Sequence, residues 1–211
     1  MTAFGRNFLN IIMLCGKKGV GKSHASEVIE RELSGNGYGV TILSFATLLK
    51  KVFVDICKLF QKKFVGEDGV KEEITETLLL DRDKKEVLRP FLQTIGTEII
   101  RKYMGENIWS ELVVKQIENI VSEHARENIK LVFIIDDARY QNEIETVKKT
   151  FGDLVTSLEL VKMNDETEIV VDTHSSETQV LETDYVYATD KPSEIFERDM
   201  IQFIHDIVMD V

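Results

Sequence analysis

Apolar positions along the chain fall into two alternating patterns. Short runs rich in β-branched residues recur at 8–15, 40–45, 131–135, 155–161 and 184–188, with longer stretches of helical period between them. Such alternation predicts a parallel sheet wrapped by helices, an α/β fold. The run Leu131-Val-Phe-Ile-Ile135 is apolar at every position, as expected of a central strand covered on both faces. A first helix is expected over 24–34, with Gly35, Gly37 and Gly39 marking the return to the second strand. A second is expected over 46–64, with Leu49, Val52, Phe53, Ile56 and Phe60 on one face and Lys50, Lys51, Lys58, Lys62 and Lys63 flanking it. That pattern fits either a membrane-surface helix or a plain solvated face. The polar stretch 65–88, with a Gly66-Glu-Asp-Gly69 turn and the charged run Asp81-Arg-Asp-Lys-Lys-Glu86, reads as an exposed connection or a small helical insertion. Pro90 fits the first turn of another helix running to about 103, and a further helix is expected over 109–128.

Composition narrows the picture. A chain of 211 residues suits one domain, or one domain with a small inserted lid. With 43% hydrophobic and 30% charged residues it reads as an ordinary soluble globular protein. The formal net charge of -11 lacks the basic footprint a polyanion binder needs. No nucleic-acid partner is expected, and any phosphate contact must be built locally. Cys15 and Cys57 are expected as reduced, buried thiols rather than a disulfide. No apolar run approaches the ~20 residues that span a bilayer, and no charged region followed by a small-residue cleavage site opens the chain. A cytoplasmic location and no membrane partner are the expectations.

The chemistry concentrates at Gly16-Lys17-Lys18-Gly19-Val20-Gly21-Lys22-Ser23, which matches G-x-x-x-x-G-K-[ST] directly after an apolar run and at the start of a helix. Glycines let backbone N–H groups approach phosphate oxygens without a Cβ in the way, and the helix start adds positive partial charge. Lys22 would reach the β- and γ-phosphates of ATP, Ser23 would ligate Mg2+, and His24 continues the segment. Asp136 and Asp137 end the apolar run at 131–135 and are candidates for the second metal ligand. A cap for the following helix is the other reading of either one.

Three further segments resemble those of the viral deoxynucleoside monophosphate kinases, within the wider nucleoside monophosphate kinase family. Arg89-Pro-Phe-Leu-Gln93-Thr-Ile-Gly96-Thr97-Glu-Ile-Ile-Arg101, followed by Trp109, is similar to the family's R-x-x-L-Q-x-x-G-T-x-x-x-R…W segment. Asp137-Ala-Arg139-Tyr140-Gln-Asn142-Glu143 looks like D-x-R-[FY]-x-N-E, and His174-Ser-Ser176-Glu177 looks like H-x-S-E. With Ser44-Phe-Ala46 through Lys50, the resemblance covers nearly the whole chain. It implies a three-layer α/β/α fold with a five-stranded parallel sheet, a helical acceptor region over about 46–128 and a lid over about 162–180. It also implies small-molecule nucleotides as partners, with ATP and Mg2+ as cofactors, leaves a homodimer open, and would make the host cytoplasm the location.

Lys50, Arg89, Gln93, Thr97, Arg101, Trp109, Arg139, Glu143 and Glu177 are the acceptor-site candidates, with Lys22, Arg139 and Asp137 as the catalytic set. Arginine suits an acceptor phosphate because its planar fork grips it bidentately. Arg89, Gln93 and Thr97 lie four apart, so on a helix they share a face. Several have a structural alternative: Trp109 as core, Arg139 as an ion pair with Glu143, Arg101 as a solvated helix end, and His174 with Glu177 as a helix cap. Two departures stand out. The lid segment carries one cation, Lys162, and no arginine, so either the lid lies elsewhere or catalysis leans on Arg139 and Lys18. Ala188-Thr189-Asp190 stands where the family tends to have an asparagine. A kinase for another small acceptor, such as dephospho-coenzyme A, and a nucleotide-binding regulator remain alternatives, although no N-K-x-D guanine motif is present.

Overall fold

Backbone hydrogen bonding turns those apolar runs into one parallel sheet. In the computed structural model, which describes residues 9–66, 69–127, 129–162, 180–190 and 192–209, the chain begins with β1 (Leu9–Cys15), α1 (Lys22–Gly35), β2 (Gly39–Leu43) and α2 (Phe45–Leu59). A hairpin of β3 (Lys63–Val65) and β4 (Lys71–Glu73) leads to α3 (Arg82–Gln93), a π-helical stretch Thr94–Arg101 and α4 (Lys102–Met104). Then come α5 (Ile108–Glu123), β5 (Leu131–Ala138), α6 (Gln141–Phe151), β6 (Val155–Val161), β7 (Tyr185–Ala188) and α7 (Ser193–Ile204). The five long strands run in the order β2-β5-β1-β6-β7, all parallel.

The fold is a three-layer α/β/α sandwich, as expected. Alternation along the strands sorts residues between the layers. Ile12, Leu14, Val132, Ile134, Leu158 and Leu160 form one core with the buried faces of α1 and α7, including Val28, Ile29, Phe196 and Met200. Among the described residues no helix is long and apolar enough to cross a membrane.

The chain divides into two units, Met1–Ser44 with Ser110–Val211, and Phe45–Trp109. The second has its own core of Phe53, Val54, Cys57, Phe64, Ile74, Leu78, Leu79, Leu88 and Leu92. Here the observed elements differ from the expected ones. The helix expected to reach residue 64 ends at Leu59, because Gln61 turns left-handed (φ 53°) while Lys62 N–H donates to the Cys57 carbonyl. Residues 63–65 then form the first strand of the hairpin. Pro90 sits inside a helix rather than at its first turn. The helix begins eight positions earlier, where the Asp81 carboxylate accepts from Asp83 N and Lys84 N at 3.0 and 3.1 Å. The charged run is therefore capped helix, not connection.

Asp184 ties the edge of the sheet together. Its carboxylate accepts from Ser157 N at 2.8 Å, Ser157 Oγ at 2.7 Å and Lys148 Nζ at 2.7 Å, joining β7's start to β6 and α6. Partial desolvation raises its pKa, but the Lys148 and Ser157 donors outweigh that, and the net shift is below the ordinary 3.8. A depressed carboxylate stabilises the fold above its unfolded pKa and ceases to do so as pH falls through the folded value. Asp184→Asn should therefore lower the denaturant midpoint at pH 6, and the gap to the parent should close as pH falls below the ordinary carboxylate range. Denaturation at a series of pH values measures this. A gap that persists undiminished in acid would show that the charge is not what stabilises the edge.

Candidate active site

The site begins where β1 ends. Gly16 follows the buried Cys15 with φ +126°, and a Cβ built there would lie 2.4 Å from the backbone oxygen of Leu160 in β6. Only glycine fits so close an approach. Gly19 and Gly21 also hold positive φ, 80° and 100°. Gly21 caps α1, and its carbonyl accepts the first helical bond from Ala25 N at 2.9 Å. Val20, 4% exposed, anchors the loop in the core beneath α1. N–H groups in the first turn of a helix have no intrahelical partner, which favours an anion in front of them.

Lys22 is 8% exposed, and its Nζ donates to the Gly16 and Lys17 carbonyls at 2.6 and 2.7 Å. A charged amine is thus held against the loop by dipoles that a phosphate oxygen could replace. Lys17, Lys18, Gly19 and Ser23 are exposed around it. His24 stacks on Phe196 of α7, with centroids 5.4 Å apart, and its Nε2 lies 3.4 Å from Glu197 Oε1. Below the loop, burial and then the carboxylates of Glu159 and Glu143 push the Cys15 thiol up to about 12. Both cysteines are free and buried, as expected. Burial also raises the Glu159 carboxyl, with Lys17 partly opposing.

Beside this loop, β5 carries the two aspartates into the strand itself. Met13 pairs with Ile135 and Cys15 with Ala138, so Asp136 and Asp137 together stand opposite Leu14 alone. That is a β-bulge, which re-aims side chains at a strand end. Ile135 and Ala138 share a face although three apart. Asp137 Oδ2 accepts from Ser44 Oγ at 2.7 Å. Hydroxyl and carboxylate oxygens suit a hard cation, so Ser23 with Asp137, and Asp136 beside it, fit Mg2+ in donor chemistry.

Arg139 follows directly, half-buried. Glu143 is 2% exposed, and its Oε2 accepts from the backbone N–H groups of Arg139 and Tyr140 at 2.9 and 3.1 Å. It closes the first turn of α6 and so shapes the backbone that carries Arg139. The contacts of Glu143 are thus those of a helix cap. Its position three residues into the helix was the available signal.

The remaining candidates lie in the second unit. Steps of four residues run ahead of a 3.6-residue turn and lag behind the wider π turn, so over α3 and the π-helical stretch the drift cancels. Leu88, Leu92 and Gly96 accordingly form one buried row, while Arg89, Gln93, Thr97 and Arg101 form a second, half-buried one. Arg89 is 24% exposed in its side chain and pairs with Glu86, Nε to Oε2 at 3.0 Å and a terminal nitrogen to Oε1 at 3.2 Å. The Nε–H is poorly aligned and makes no hydrogen bond. The contact there is Coulombic and exchangeable. Arg101 donates to the Glu106 carbonyl at 3.2 Å, and Lys50 is half-buried on α2. Trp109 is corrected to core: it is 4% exposed and its Nε1 donates to the Gly96 carbonyl at 3.2 Å, so no face is offered to a base. His174, Ser176, Glu177 and nearly all of the expected lid lie outside the described residues.

No family model and no curated protein matches the chain. Similar solved structures include the crystal structure of APE1195 (TM-score 0.47, 13% identity, 97% of each chain covered). An APS kinase of Mycobacterium tuberculosis is another, with TM-score 0.44, 12% identity, and 93% of this chain against 99% of that one covered. A shikimate kinase from Acinetobacter baumannii in complex with shikimate gives TM-score 0.42 and 12% identity over 97% and 95% of the two chains. The functional reading rests on this chain's own residues.

Gly16→Ala should cost roughly 1–3 kcal/mol from backbone strain alone, with the Leu160 clash adding to it. Chemical denaturation measures the loss. Unchanged stability would mean that the β1–β6 approach is looser than the geometry requires.

Proposed function

We propose that the chain transfers the γ-phosphate of ATP directly to a deoxynucleoside monophosphate, giving the diphosphate. The observation that carries this reading is the loop at 16–23, with three left-handed glycines and a buried lysine at the start of α1. Magnesium, when bound, would supply positive charge against the phosphates. Lys22 would exchange its two carbonyl partners for phosphate oxygens. Ser23 and Asp137 would hold the metal, with Asp136 beside them. Arg139, at the carboxyl end of the same strand, would offset charge on the phosphoryl group in flight.

The row Arg89, Gln93, Thr97 and Arg101 supports a phosphorylated, base-bearing acceptor. Arg89 would release Glu86 for the acceptor phosphate, and Gln93 would hydrogen-bond a base edge. An acceptor phosphate is anionic at neutral pH and attacks without help, so no dedicated general base is required. The net charge of -11 disfavours a long polyanionic acceptor, which leaves a free nucleotide, met in the cytoplasm.

A coupled ADP-release assay with dAMP, dGMP, dCMP, dTMP, dUMP and their ribose counterparts tests the reading. Turnover is expected with at least one deoxynucleotide. Turnover only with hydroxyl acceptors would replace it with another small-molecule kinase, and slow acceptor-independent hydrolysis with a nucleotide-binding regulator. Lys22→Ala should lower kcat about 100- to 1,000-fold. Arg89→Ala should raise the acceptor KM about tenfold with kcat less affected; an unchanged KM would move the acceptor phosphate elsewhere.

A further inference from the structure

Ser44 lies outside every candidate set drawn above, yet it makes a side-chain hydrogen bond to the proposed metal carboxylate. β2 pairs with β5 through Leu43 and Ile135, which brings the next residue of each strand level with the bulge. There Ser44 Oγ donates to Asp137 Oδ2 at 2.7 Å. Ser44 is half-buried, as is Asp137, so the bond is partly shielded from competing water. It is also the last residue of its unit before the chain enters α2.

We propose that Ser44 is a positioning residue for magnesium: its hydroxyl fixes the rotation of the Asp137 carboxylate so that the oxygen presented to the cation is pre-set. This rests on the phosphoryl-transfer reading. The physical case is one of competition. A lysine or arginine in this place would orient the carboxylate equally well but would cancel its charge and contend with the metal. A neutral hydroxyl supplies one donor to one oxygen and leaves the charge intact. The bulge adds a reason for such a brace. It interrupts strand alternation at 136–137, where ladder pairing no longer dictates side-chain direction. Outer-shell hydrogen bonds of this kind change metal affinity by about 10- to 100-fold when removed.

The test measures ADP binding by titration calorimetry, with saturating MgCl2 and with EDTA, for the full-length chain and for Ser44→Ala, Ser44→Thr and Asp137→Asn. In the parent, magnesium should tighten ADP binding. Ser44→Ala should reduce that magnesium-dependent gain about tenfold, while metal-free ADP binding stays within twofold of the parent. Ser44→Thr, which keeps the hydroxyl, should restore most of the gain. In an Asp137→Asn background, Ser44→Ala should have no further effect, because the two act through one carboxylate. Thermal midpoints show whether each variant is folded. If Ser44→Ala keeps the full magnesium gain, or loses metal-free and magnesium-bound affinity equally, the positioning role is wrong. If the parent binds ADP in neither condition, the phosphoryl-transfer reading itself fails, a result distinct from either of those.

Discussion

The arrangement depends on how closely two backbones approach at the carboxyl edge of the sheet. Where β1 gives way to the loop, the Gly16 α-carbon has so little room that a single added methyl would sit 2.4 Å from the Leu160 oxygen. That approach holds the first residue of the loop against β6. Gly21, five residues on, starts α1 in a conformation that a side chain would strain. With both ends fixed and Val20 anchored in the core, the loop has little choice of path. Lys22 can then bury its amine against the carbonyls of Gly16 and Lys17. Such a burial would be costly anywhere the backbone could not turn its dipoles inward.

A chain of net charge -11 nonetheless gathers positive charge at one loop. It does so by position rather than by number. Lysines at 17, 18 and 22 cluster within one turn of backbone, and the start of α1 adds its own partial charge. Carboxylates close beneath are kept from spoiling this in two ways. Glu143 is engaged by the N–H groups of Arg139 and Tyr140, and burial raises the Glu159 pKa, weakening its preference for charge. The Cys15 thiol, raised to about 12 by burial and by those same two acids, stays protonated and takes no part in the electrostatics.

Sequence patterning reveals most where one physical demand dominates. The parallel sheet was legible because runs such as 131–135 are apolar on both faces, and the turn at 16–23 because its glycines answer a backbone constraint that other residues cannot meet. The second unit was harder to read. Its core residues, from Phe53 to Leu92, are spaced among long polar stretches, and its hairpin strands are three residues each, too short to show a period. Pro90 misled for a definite reason. Proline favours the first turn of a helix, but the Asp81 cap already committed the backbone roughly two turns upstream. Trp109 and Glu143 show the limit for site residues. Both stand in motif-like positions, and only their contacts, with the Gly96 carbonyl and with two backbone amides, assign them to packing and capping.

The row along α3 and the π-helical stretch shows how Arg101 stays in line with Arg89. In a uniform α-helix, twelve residues of four-step spacing accumulate enough drift to carry Arg101 away from Arg89. A π-helical stretch at 94–101 reverses that drift. The cause lies in the packing: Gly96 is buried against Leu49, whose Cδ2 would lie 2.7 Å from an added Cβ. Widening the turn keeps Leu88, Leu92 and Gly96 in one buried line against the unit's core, and the adjacent line of polar residues follows because both sit on the same backbone. The alignment of two arginines, a glutamine and a threonine is thus set by how the hydrophobic row beside them must pack. A substitution at Gly96 would act on all four polar residues at once while touching none of them.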